Sequence, residues 1–261
     1  MKNISDLKVK IFGDGADLAG ILELSRKPYI KGFTTNPTLM RKAGIPDYES
    51  FAMQVLDHIK DRPVSFEVIA DDEDSMETQA RYIAKWAENV YVKIPVTNTR
   101  RAPMTDLIHR LSHDGIQVNV TAMLTIEQLR EVTAALRGGA PSNVSIFAGR
   151  VADTGRDPVP VMKQALEIVA ENEHTELIWA SPRELLNIFQ ADEIGCHIIT
   201  VTNDILAKLY LVGKDLDEFS LETVKMFYTD AIKSGYALDP VPVPVEARVA
   251  AKPSARKRVA F

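Results

Sequence analysis

Tyr91-Val92-Lys93-Ile94-Pro95-Val96 is an apolar run with a single charge inside it. A strand buried on both faces reads as such a continuous run, the habit of parallel sheets. A lysine within it is costly unless it is paired or neutral. Working outward from Lys93, similar short runs recur along the chain. They lie at Val9–Gly13, Ile30–Thr35, Val64–Ala70, Val90–Val96, Gln117–Ala122, Val144–Val151, Leu177–Ala180 and Ile198–Thr202. Helix-like stretches separate them. Asp72–Glu88 has an acidic first turn, and Thr125–Leu136 opens on a Thr…Gln capping-box spacing. Pro158–Asn172 starts on proline, and Ser181–Gln190 has Pro182 just after a capping serine. Strict alternation over eight strands predicts an α/β chain of the (β/α)8 TIM-barrel class, with a doubly wound open sheet as the alternative. One more helix is expected at Leu221–Ser234, after the eighth unit. Pro240-Val241-Pro242-Val243-Pro244 then breaks regular structure. Residues 1–236 are expected to form one barrel domain including that helix, and residues 237–261 a disordered, basic, Pro-rich tail.

The chain has 261 residues, 46% of them apolar, enough for one large barrel. Its net charge of −5 is uneven: residues 240–261 carry Arg248, Lys252, Arg256, Lys257 and Arg258 against Glu246, a local +4 that leaves −9 on the rest. An acidic body of this kind speaks against a nucleic-acid binder. No window is apolar enough for a membrane span and the N-terminus lacks the apolar core of a signal peptide, so no membrane partner is expected. Cys196 is the single cysteine, which rules out an internal disulfide and a Cys-rich zinc site and suits a reducing cytoplasm.

In a barrel of this class the chemistry sits at the C-terminal ends of the strands. The unusual polar residues of this chain map there. Asp14 follows strand one, Asn36 closes strand two, and Glu67 and Lys93 lie inside the third and fourth runs. Asn119 and Thr121 alternate on strand five and so share a face. Ser145 and Arg150 belong to strand six and its end, with Phe147 between them. Ser181 and Arg183 follow strand seven. Each has a plain structural reading: a Lys93–Glu67 ion pair, a turn at Asp14 and at Asn36-Pro37, hydrogen bonds across the barrel, surface arginines. Together they also meet the needs of imine chemistry on a phosphorylated sugar. Those needs are a lysine nucleophile, carboxylates to move protons, and arginines for a phosphate.

From about Val9 to Tyr210 the sequence resembles the transaldolase family, which includes the small fructose-6-phosphate aldolase-like members. Gly32-Phe33-Thr34-Thr35-Asn36-Pro37-Thr38, Val92-Lys93-Ile94-Pro95-Val96-Thr97 and Asn119-Val120-Thr121-Ala122 carry the resemblance. Phe147-Ala148-Gly149-Arg150 and Ala180-Ser181-Pro182-Arg183 add to it. The resemblance implies that Lys93 forms the imine and that Asp14 exchanges a proton with the sugar C4 hydroxyl. It implies that Glu67 works through a water held by Thr121. Asn36 and Asn119 would bind substrate hydroxyls, Ser145 and Phe147 would line the pocket, and Arg150, Ser181 and Arg183 would hold the phosphate. It implies no metal and no cofactor, because the protonated imine is the electron sink. The partners it implies are a ketose phosphate and an aldose phosphate, together with a homo-oligomer built through the helix after the barrel.

Glu67 and Phe147 stand where aldolase-type members resemble one another in having Gln and Tyr, which favours transfer over cleavage. A fructose-6-phosphate aldolase-like lyase and a non-catalytic sugar-phosphate-binding barrel are the alternatives. The chain departs from the family in Thr97-Asn98-Thr99-Arg100-Arg101-Ala102-Pro103, a longer link than usual. Its arginines could add phosphate contacts or merely face solvent. A second departure is Pro182, which replaces a common aromatic.

Overall fold

The computed structural model describes residues 4–236 and 238. It divides into a unit ending at Val212 and one starting at Gly213. In the first unit, β1 (Lys10–Asp14) leads to α1 (Leu18–Ser25) and β2 (Ile30–Thr34) to α2 (Pro37–Lys42) and α3 (Tyr48–His58). Then β3 (Val64–Glu67), α4 (Glu73–Ile83), β4 (Val90–Pro95), α5 (Thr105–His113), β5 (Val118–Met123) and α6 (Ile126–Leu136) follow in turn. The circuit ends with β6 (Ser142–Ile146), α7 (Ala148–Asp153), α8 (Pro158–Val169), β7 (Thr175–Trp179), α9 (Leu186–Glu193), β8 (Ile198–Thr202) and α10 (Asn203–Leu206). The eight strands close in sequence order, β8 pairing back on β1 in parallel. This is the predicted (β/α)8 barrel; the open sheet is excluded by that closure.

Alternation along each strand divides the wall into two faces. The outward side chains, among them Ile11, Phe33, Phe66, Val92, Ile94, Val120, Ile146, Trp179 and Val201, join the helices in one large apolar core. Among the described residues, Phe12, Ile178, Ala180 and Ile198, with Phe147 packed against them, make a second apolar cluster, and these belong to the inner face. Phe12 fills the barrel beside Gly32, where a Cβ would stand 2.6 Å from the ring. A side chain at residue 32 would displace the inner apolar plug.

Local sequence explains most helix starts. Thr125 and Gln128 form the capping box ahead of α6. Asp72 caps α4, and Asp157 caps α8 just before Pro158. Several expectations change. β3 stops at Glu67 rather than Ala70. β6 stops at Ile146, so Phe147 precedes a short helix, α7, and Arg150 lies on that helix rather than on a strand. Ser181 is no helix cap: it sits at φ 59°, and α9 starts only at Leu186.

The second unit contains α11 (Leu216–Ser234), capped by Asp215 and ended by Gly235 at φ 68°. It begins earlier than the predicted Leu221, and none of its residues is buried, Phe227, Tyr228 and Ile232 included. The expected tail lies outside the described residues except for Leu238. Among the described residues no helix is long and apolar enough to cross a membrane.

Candidate active site

A cavity of about 560 Å³ opens at the C-terminal end of the barrel. Asp14, Asn36, Glu67, Lys93, Thr121, Ser145, Phe147, Arg150, Ser181 and Arg183 all line it. Asn119 does not. It is fully buried one step below Thr121, donating to Ser65 Oγ at 3.0 Å and accepting from Ser145 Oγ at 2.8 Å. Its nearest role is to hold Ser145.

Lys93 is 5% exposed. Its Nζ lies 3.1 Å from Glu67 Oε2 and donates to the Thr35 carbonyl at 3.0 Å. The register that pairs β3 with β4 puts Glu67 opposite Lys93. The ion pair expected as the structural reading therefore exists, but it faces the cavity, and the Glu67 side chain keeps 19% of its surface.

Glu67 is fixed from behind. On the β4 side, the next amide, Val68 N–H, reaches the Lys93 carbonyl at 3.1 Å. On the other side, β2 has already turned away into α2. Its pairing with β3 is confined to Phe33–Val64 and Thr34–Ser65. Tyr48, the first residue of α3, fills the gap: its hydroxyl donates to the Glu67 carbonyl and accepts from the Glu67 amide, both at 2.7 Å. Burial pushes this phenol well above its ordinary range, so it stays a donor.

Asp14 faces Lys93 from across the barrel. Burial pushes its carboxyl above the ordinary carboxylate range, while the Lys93 charge and a hydrogen bond from Thr34 pull it back. Thr34 Oγ1 donates to Asp14 Oδ1 at 2.8 Å and touches Thr200 Oγ1 at 2.5 Å. Asn36 spends its side-chain oxygen capping α2, at 3.0 Å from Leu39 N, and the residue also lines the cavity.

Thr121 sits where the β5–β6 register shifts, beside Ala122 at φ 64°. A bulge with a left-handed non-glycine residue is a costly conformation of the kind found near active sites. Thr121 Oγ1 is buried and has no protein partner.

The β6–β7 side of the mouth is basic. The Ser181 carbonyl presses on α7 where a Cβ on residue 149 would come within 1.5 Å of it, so only Gly149 fits. Arg183 grips Asp153 with Nε at 2.9 Å and with Nη2, which holds the Asp153 carboxyl below its usual range and leaves Nη1 uncommitted. Arg150 lies over the Phe147 ring, 5.6 Å from its centre. Cys196, the single thiol, is buried and pushed up to about 12, so it offers no competing nucleophile.

The link 97–103 is ordered. Thr97 bridges Pro103, Asn98 Oδ1 accepts from the amides of Arg100 and Ala102 at 3.0 and 2.9 Å, and Thr99 is tied to Asp71. Arg100 and Arg101 are exposed and do not line the cavity. This placement is what the solvated reading of the loop expects.

Sequence reading missed Lys42, Thr200, Thr202 and Asp204, which also line the cavity, and gave Thr34 no role. Thr200 and Thr202 alternate as Asn119 and Thr121 do, so the same signal was present. Tyr48 carries no local signal, because its contact with Glu67 depends on where β2 leaves the wall.

The model for the transaldolase/fructose-6-phosphate aldolase family matches residues 11–246. The chain belongs to this family. It is 37% identical over 202 residues to a protein of Dehalococcoides mccartyi named probable transaldolase, covering 77% of this chain and 90% of that one. It is 36% identical over 216 residues to probable transaldolase 2 of Listeria monocytogenes, covering 81% and 94%. Among solved structures, 3-hexulose-6-phosphate synthase is similar at TM-score 0.52 and 18% identity, over 77% of this chain and 92% of that one. Dihydrodipicolinate synthase from Rhodopseudomonas palustris is similar at 0.54 and 14%, over 88% and 81%. At such identities these two bear on the fold alone.

Proposed function

We propose that this family member is a transaldolase. It moves a dihydroxyacetone unit from a ketose phosphate to an aldose phosphate through an imine on Lys93. The observation that carries the reading is the Lys93 amine, facing a polar cavity with Glu67 at 3.1 Å. The amine must be neutral to attack the C2 carbonyl, and Glu67 is the nearest group to take its proton. Loss of water leaves the protonated imine; a water on the unpartnered Thr121 hydroxyl, served by Glu67, is the medium for this step and its reverse. Asp14 then takes the proton of the C4 hydroxyl. The C4–O pair becomes a carbonyl, the C3–C4 bond breaks, and its electrons reach the imine nitrogen as an enamine. The aldehyde leaves. The enamine adds to the carbonyl of an acceptor aldose phosphate as Asp14 returns its proton, and hydrolysis frees Lys93.

Asn36 and Ser145 would hold hydroxyls of the bound sugar, and Asn119 would act through Ser145. Arg150 and Arg183, with Ser181, form the cationic mouth for a phosphate. Phe147 favours transfer over an aldolase outcome, because its ring offers no hydroxyl to direct a water on to the enamine. The single buried thiol fits a reducing cytoplasm, and the uncovered apolar side chains of α11 fit a homo-oligomer.

The test is borohydride reduction with a panel of ketose phosphates, followed by peptide mass mapping. A substrate-derived adduct on Lys93 is expected. Its absence with every ketose would leave only a sugar-phosphate-binding barrel. Product analysis with and without an acceptor aldose then separates transferase from lyase: release of free dihydroxyacetone at an undiminished rate without acceptor would mean a lyase.

A further inference from the structure

We infer that Thr200 is a positioning residue for C3–C4 cleavage: it orients the Thr34 hydroxyl so that Asp14 Oδ1 is held and Oδ2 is left to exchange the substrate proton. The inference rests on the transaldolase reading of the site, and its test separates the two.

The strand order places the three groups. β1 lies between β2 and β8, and Asp14 is in register with Thr34 on one side and Thr202 on the other. Two residues before Thr202, on the same inner face, Thr200 reaches Thr34 past β1. Thr34 and Thr200 are 4% and 5% exposed, so bulk water does not readily replace either contact.

Proton counting gives the chain its direction. An ionised carboxylate only accepts, and a threonine hydroxyl has one proton. Thr34 gives that proton to Asp14 Oδ1. The Thr34–Thr200 contact is therefore made with the Thr200 proton. A one-way chain results, Thr200 to Thr34 to Asp14, in which each hydroxyl polarises the next. Without Thr200, the Thr34 hydroxyl is free to rotate off Oδ1, and both the orientation and the charge of Asp14 lose support.

The sign of the pH effect follows. Asp14 must be ionised to accept the C4 proton, so cleavage fails as pH falls through its titration. The Thr34 hydrogen bond favours the ionised form; weakening it moves the acid limb to higher pH. Lys93 from β4 and Glu67 from β3 also act on Asp14, and Lys42 and Asp204 line the same cavity, but Thr200 variants leave all four in place.

The experiment compares pH profiles of kcat for wild type, Thr200→Val, Thr200→Ala and Thr200→Ser, alongside borohydride trapping on Lys93. Thr200→Val is expected to lower kcat roughly ten-fold near neutrality, the order of one hydrogen bond to a charged group. Its acid limb should move upward while Lys93 still forms adduct at the wild-type rate, and Thr200→Ser should restore the profile. Thr200→Ala gives the same readout if the valine variant does not fold. An unmoved acid limb in the folded Val or Ala variant overturns the inference. So does a serine variant as impaired as the valine one, which would mean that the methyl group matters and the hydroxyl does not. If wild type itself gives no adduct, it is the transaldolase reading that fails.

Discussion

Lys93 and Ile94 are neighbours on β4, yet they belong to different regions of the molecule. Ile94 points outward, fully buried in the large core between wall and helices. Lys93 points inward among Glu67, Thr121, Ser145 and Asp14. The outer region is continuous and apolar, while the inner one holds a small apolar plug around Phe12 below a polar cavity. The difference teaches how the barrel tolerates its chemistry. Packing on the outside stabilises the wall, so the inside is free to keep charged groups that contribute little to folding. Substituting the two neighbours in parallel is the strongest way to break this contrast. Lys93→Met should abolish adduct formation and activity, yet cost less stability than Ile94→Ala, since Glu67 keeps 19% of its side-chain surface and can be solvated in the cavity. Ile94→Ala should cost ~2–5 kcal/mol of stability while the folded fraction still forms adduct. Chemical denaturation and borohydride trapping on both variants check this. A Lys93→Met protein that loses as much stability as Ile94→Ala would show that the inner pair also holds the fold.

Tyr48 is where the two regions meet, since it belongs to an outer helix and bonds Glu67 of β3 through a gap in the wall. Tyr48→Phe leaves the Glu67 amide and carbonyl without this partner, at ~1–3 kcal/mol in stability. Imine formation should slow about ten-fold, on the same energetic footing. The acid limb set by Asp14 should stay in place, because Thr34 and Thr200 are untouched. Trapping rates and the pH profile read the two separately. A shifted acid limb would mean that loosening β3 disturbs the whole barrel rather than Glu67.

The outer region was also the legible one. Its continuous apolar runs marked eight strands, because strands buried on both faces lack polar interruptions. Lys93 and Glu67 stood out as charges inside such runs. The Asn119/Thr121 alternation placed both on the inner face, but period alone does not give height in the barrel, and Asn119 lies below the cavity. Val144–Val151 is largely apolar and so predicts strand through Phe147 and Arg150; the strand instead ends at Ile146 and α7 begins at Ala148, with Gly149 packed against the Ser181 carbonyl. Ser181 before Pro182 suggests a helix cap, but the residue is left-handed, at φ 59°. What stayed illegible depends on closure: Thr200 meets Thr34 only because β8 returns to β1, and Tyr48 meets Glu67 only because β2 departs early.

The smallest expected effect concerns the link after β4, which joins the inner rim to the outer helices. Arg101 holds φ 66° there, a conformation that costs a non-glycine residue roughly 1–2 kcal/mol. Its amide bonds the Asn98 carbonyl at 3.0 Å, and that turn must persist for Thr97 to bridge Pro103. Glycine adopts the angle freely but adds entropy to the unfolded chain, so Arg101→Gly should raise stability by only ~0.5–1 kcal/mol. The side chain is exposed and outside the cavity, so kcat/KM with phosphorylated substrates should not change. A fall in kcat/KM for a phosphorylated acceptor, but not for its unphosphorylated analogue, would place Arg101 on the acceptor's approach. The link would then belong to the inner region, not the outer one.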